Sequence, residues 1–116
     1  MKASVPGASV VIPGGALQVI REARVDVAIL GACSAAIEDG LTSTTYDDAQ
    51  IKAACLAAAQ RRVLVATADK LSRTSTFRFG MATDLTHLVT TSAASDAVVA
   101  AFCGAGVQVV VVDDAG

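Results

Sequence analysis

The stretch Val25 to Thr67, VDVAILGACSAAIEDGLTSTTYDDAQIKAACLAAAQRRVLVAT, opens and closes on short apolar runs rich in β-branched residues. Val25 to Leu30 (VDVAIL) and Val63 to Thr67 (VLVAT) read as strands, because such runs suit a parallel sheet covered on both faces. Between them Asp47 to Gln60 carries Ile51, Cys55 and Leu56 at helical spacings of four and five. Thr45 stands where an N-cap is needed, Asp47 and Asp48 lie in the first turn, and Arg61 and Arg62 follow the other end. That charge order matches the helix macrodipole at both termini. A strand, a helix and a second strand in succession are the mark of an α/β unit.

The same alternation extends outward. Leu88 to Thr91 and Val107 to Val112 (VQVVVV) read as further strands, Ala16 to Arg24 and Ser92 to Cys103 as further helices, and Gly104 as the stop of the last. In the first fifteen residues only Ser9 to Ile12 reads as extended, and Pro13-Gly14-Gly15 as a turn. The expected architecture is an α/β domain of three layers, a mostly parallel sheet with helices on both faces. Ala32 to Thr45 and Ala68 to Gly80 fit no regular element, and each follows a strand directly. Ligands of open α/β sheets gather beyond the carboxyl ends of strands.

Composition narrows the functional classes. The 116 residues make one domain, 53% of them are hydrophobic, and only 3% are aromatic, which leaves little for base stacking. A net charge of −2, with nine scattered basic residues, supplies no electrostatic footprint for nucleic acid. No apolar run approaches the length of a membrane span and no secretory signal is legible, so the expected location is cytoplasmic. Three widely spaced cysteines, Cys33, Cys55 and Cys103, fit reduced thiols. Cys55 and Cys103 fall on apolar helical faces and read as core residues.

The search for chemistry is mostly negative. Gly14-Gly15 and Gly104-Ala105-Gly106 lack the glycine spacing of a dinucleotide fingerprint or a P-loop. His87 is the single histidine, and no cysteine or histidine spacing suits a metal, so neither a metal nor a cofactor is expected. Lys70 and Arg73 are different, since two cations just past a strand suit a phosphate group. Cys33 lies just past the first strand, within reach of a ligand or buried. Lys52 is either an i, i+4 partner of Asp48 or a site residue.

These residues carry a resemblance over most of the chain, from Val25 to Val112. Leu30-Gly31-Ala32, Gly40-Leu41-Thr42, Lys52 and Thr67-Ala68-Asp69-Lys70 follow one another, without gaps, as in the effector-binding region of DeoR-family transcriptional regulators. Leu71-Ser72-Arg73 stands where that family usually has Phe-Gly-Arg. The acidic residues the family carries around these motifs fall here on Cys33, Ala36 and Thr67, so groups expected to hold sugar hydroxyls are missing. The family's N-terminal winged helix-turn-helix, and the first strand-helix-strand part of its ligand domain, have no counterpart in the sequence. The resemblance implies that residues 1–116 are the C-terminal part of an effector-sensing module.

The chain also resembles ribose 5-phosphate isomerase, whose carboxylates transfer the proton. The matching positions here are Cys33, Ala36 and Lys52, and neither an alanine nor a protonated lysine replaces a carboxylate base. The resemblance therefore implies a non-catalytic sensor of a small phosphorylated metabolite. It would be homo-oligomeric, and would contact DNA only through a domain not represented in the sequence. The expected ligand residues are Gly31, Ala32, Cys33, Ser34, Lys52, Lys70 and Arg73. An isomerase-like enzyme and an oligomerisation module with a decayed pocket are the alternative readings.

Overall fold

The structure, a computed structural model, describes residues 2–5, 8–11, 17–31 and 34–113; for 2–5 and 8–11 it describes the backbone. Strand β3 (Val25–Gly31) is followed by β4 (Ser34–Ala36), β5 (Gly40–Ser43), helix α2 (Tyr46–Ala58) and β6 (Ala59–Val65). β7 (Phe77–Gly80), β8 (His87–Thr91), α3 (Asp96–Gly104) and β9 (Gln108–Val112) complete this part. Before β3 lie a hairpin, β1 (Lys2–Val5) and β2 (Ala8–Val11), and the short helix α1 (Leu17–Glu22). The main sheet runs β2-β1-β3-β6-β8-β9; the four strands β3, β6, β8 and β9 are parallel, and β1 joins β3 antiparallel. The expected α/β fold with a mostly parallel sheet is the fold observed.

Each parallel step moves one strand along the sheet, and right-handed crossovers of that kind place their connections on one face. Register makes this visible. Leu30, Leu64, Leu88 and Val109 stand in one row across the four strands. The three leucines are fully buried in a core shared with Ile20 of α1, Cys55 of α2 and Phe102 of α3. The neighbouring rows, Ile29-Val63-His87-Gln108 and Gly31-Val65-Val89-Val110, point the other way, and Ile29 and Val65 remain 46% exposed. The helices described thus lie on one face, and a second helical layer is not among the described residues.

The N-cap read at Thr45 forms, whereas α3 runs through Gly104 to a C-cap at Ala105. Thr45 accepts the Asp48 N–H at 3.3 Å and starts α2. That helix ends at Ala58, and the chain is extended at once, so β6 begins at Ala59 rather than Val63 and stops before Ala66. Arg62 consequently lies in a strand; its guanidinium returns to the Ala59 carbonyl at 3.1 Å and also donates to that of Asp84. α3 begins at Asp96, not Ser92, because Ser95 is the residue whose side chain accepts the Val98 N–H. Cys55 is buried as expected, but Cys103 is exposed. Phe102 takes the inward position of α3, and the next residue turns about 100° away from it.

The segments expected to be irregular contain a second sheet. β5 pairs with both β4 and β7, all antiparallel, and a parallel bridge between Ala35 and Leu71 ties this small sheet to the loop after β6. Gly40 is fixed by geometry here: its φ is +90°, and a Cβ would come within 2.5 Å of the Gly80 carbonyl oxygen. No helix among the described residues is long and apolar enough to cross a membrane.

One-sided burial makes adjacent residues of β6 unequal. Leu64→Ala is expected to cost about 2–5 kcal/mol and Val65→Ala less than about 1 kcal/mol, as read by chemical denaturation. Equal losses would mean that both faces of the sheet are covered.

Candidate functional site

The carboxyl ends of β3 and β6 meet where Gly31 pairs with Val65, so the chain after each strand leaves from adjacent points. Gly31 is exposed, and a Cβ there would meet nothing within 4 Å, which leaves its approach open. Ala32 and Cys33 lie outside the described residues. Ser34 re-enters the structure as the first residue of β4, buried, with its hydroxyl 3.0 Å from that of Ser75. Thr42 accepts the Ser75 N–H at 2.8 Å. These contacts fasten the segment after Ser72 to the small sheet.

Beyond β6 the chain makes a single 3-10 turn, Ala68–Lys70, closed by the Lys70 N–H on the Thr67 carbonyl at 3.0 Å. Thr67 also donates its hydroxyl to Asp69 at 2.5 Å. That hydrogen bond, more than the nearby cations Arg73 and Lys70, holds the exposed Asp69 carboxyl below its ordinary value. Arg73 approaches Asp69 at 3.8 Å with both side chains largely in solvent, an ion pair of little strength. Lys70 is half-buried on the same turn. Two cations and one carboxylate therefore surround the strand end, a net positive lip. Ser72, the one described non-glycine residue with positive φ, at 79°, turns the chain so that its N–H reaches the Ala35 carbonyl at 2.7 Å.

Lys52 points elsewhere. Its ammonium is 2.8 Å from Asp48 and 5.5 Å from the centre of the Phe79 ring, between α2 and β7. Ser43 donates to the same Asp48 oxygen at 2.5 Å. Burial works against the Asp48 charge, but the hydrogen bonds from Lys52 and Ser43 prevail and hold its carboxyl below the ordinary value of 3.8. The i, i+4 pairing weighed from the sequence is thus formed, in a cluster where Lys52 and Ser43 are buried and Asp48 is partly exposed. Ser43 was not foreseen, because it reaches α2 only once β5 has formed.

A groove of about 340 Å³ borders the same end of the sheet, between the β4–β5 turn, Ser72 and α3. Its charged lining is Glu38 and Asp39, which repel an anion, while Ile37, Val98 and Phe102 make it partly apolar. A larger cleft of about 690 Å³ between α1 and α2 holds Arg21 and Arg24. It lies at the amino ends of the strands, away from the position where such sheets bind ligands. No group of three or more His, Cys, Asp or Glu among the described residues is placed to hold a metal ion.

The parallel sheet with its adjacent strand ends defines an open α/β domain, a class whose ligands gather beyond the carboxyl ends of the strands. Residues 6–92 match the family model of the DeoR C-terminal sensor domain, and the chain belongs to that family. It is accordingly an effector-sensing regulatory domain, of the kind that responds to a small molecule. No curated protein matches the chain.

The Asp48 cluster gives a pH signature. A carboxyl held below its unfolded value stabilises the fold above that value, and the contribution disappears as pH falls through the folded pKa. Asp48→Asn is expected to lower stability by about 1 kcal/mol at pH 7, modestly because Asp48 is more than one-third exposed. The difference from the parent should shrink and then vanish as pH falls below the ordinary carboxyl value of 3.8 and through the lowered folded pKa, in urea titrations at a series of pH values. A pH-independent difference would mean that lost packing, not charge, is responsible.

Proposed function

We propose that this sensor domain binds a small phosphorylated metabolite at the paired ends of β3 and β6, without turning it over. The single observation that supports the reading is the Gly31–Val65 pairing, which ends β3 and β6 side by side just before the turn that carries Lys70. Lys70 would be the main phosphate partner, since an ammonium at a strand end offers charge-assisted bonds to an anion. Arg73 would add longer-range charge. Lys52 would act indirectly, because it already holds Asp48 and braces the small sheet. Ligand binding would bias an oligomer in the cytoplasm, and through it a winged helix-turn-helix domain outside this sequence. Coupling of that kind requires only that the ligand prefer one of two states.

Titration with ribose 5-phosphate and with inorganic phosphate, followed by amide NMR, tests the site. Binding in the millimolar range, about 4 kcal/mol, should move Asp69 and Lys70 first. Lys70→Ala should weaken it by about ten- to a hundredfold, the usual loss for a hydrogen bond to a charged group. Shifts clustered at Gly104 to Gly106, or unchanged in the Lys70 variant, would overturn the assignment.

The non-catalytic reading rests on chemistry at the positions resembling the isomerase. Ala36 carries no proton-transfer group, and Lys52 is engaged by Asp48 at 2.8 Å. Ribose 5-phosphate incubated with the protein should remain unconverted to the ketose. Turnover that survives repurification and disappears in Lys52→Ala would reverse this conclusion.

A further inference from the structure

We propose that β9 is the interface through which two copies of this chain pair, edge to edge and antiparallel. Among the described residues β9 ends the six-stranded sheet and hydrogen-bonds only to β8. Gln108 donates its N–H to Thr86, and Val112 accepts from Ser92, so 108, 110 and 112 turn their backbone groups toward β8. By alternation, the N–H and C=O of Val109 and Val111 face the free edge.

Natural sheet edges are guarded by charges, proline, bulges or a covering segment, because unpaired strand groups recruit another chain. Gln108 to Val112 (QVVVV) contains no charge and no proline, and its register with β8 runs without a bulge. Val110, Val111 and Val112 are 40–48% exposed. The flank is apolar too: α3, packed beside β9, leaves Ala97, Ala100, Ala101 and Cys103 in solvent.

A second copy fits this edge because a strand edge is its own complement about a two-fold axis. With the axis perpendicular to the sheet at Val110, Val109 of each copy lies opposite Val111 of the other. Each such pair exchanges two hydrogen bonds, giving four in all. The same axis keeps the two faces in place, so α3 of one copy lies beside α3 of its partner and covers the apolar flank. The five residues of β9 and the outer turns of α3 amount to roughly half the 20–30 residues a side of a standard interface. The dimer is therefore weak and concentration-dependent. This inference is independent of the proposed ligand.

Sedimentation velocity of the whole chain from about 1 μM to 1 mM tests it, with amide hydrogen exchange at both extremes. The expected result is a monomer–dimer equilibrium in which Val109 and Val111 gain at least tenfold protection on association while Val110 is protected throughout. Val111→Pro removes an outward N–H and leaves the β8 ladder whole, so it should abolish the dimer without lowering the melting temperature. Val110→Lys sets two ammonium groups together at the axis and should also give monomers. If Val111→Pro unfolds the chain, the lysine variant decides. A monomer at every concentration, an assembly that survives the folded variants, or growth beyond a dimer through the bare sheet face would each overturn the proposal.

Discussion

The pairing of β3 with β6 is the constraint on which the rest depends. Two parallel neighbours cannot be joined by a turn, so the chain between them must cross the sheet, and α2 makes that crossing. The pairing lines up Leu30 with Leu64, to which Leu88 is then added, and fixes the face on which the core forms. It also determines that Gly31 and Val65 finish together. The proposed site is thus a by-product of strand register, and the loop after β6 is further held by the small sheet through Ala35–Leu71 and Thr42–Ser75.

Electrostatics at this end of the molecule is divided between two arrangements. Asp48, Lys52 and Ser43 form a closed group between α2 and the small sheet, where each charge meets a partner. Asp69, Lys70 and Arg73 form an open group in solvent, where pairing is loose. The first arrangement braces the fold; the second leaves charge available to something arriving from outside. Because Asp48 is partly exposed the pair contributes only modestly to stability, but it fixes Lys52 against the small sheet.

The periodic parts of the chain were legible because their partners are close by or repeat. VDVAIL, VLVAT and VQVVVV identified themselves by β-branched runs, and Thr45 by a polar oxygen ahead of acidic residues. Most of the small sheet was not legible. Its strands are three or four residues long, include Ser, Gly, Thr and Arg, and pair across distant parts of the chain. No local pattern announces such a strand, since its stability comes from neighbours assembled elsewhere. The same limit applied to Cys103, whose apolar helix gave no sign of which side would meet the core. Lys70 and Arg73 were legible as charges after a strand, whereas the hydroxyl contacts of Ser34, Thr42 and Ser75 needed the folded small sheet.

The remote pairing of Leu41 with Gly80 has a consequence for the order of assembly. β5 can meet β7 only after the intervening helix and strand have been placed, because a long loop must close before any contact rewards it. The frame around the strand ends is therefore completed late in folding. Ala35, Leu41 and Phe79 then close the same core that the leucine row begins, so the rim and the main sheet are stabilised together.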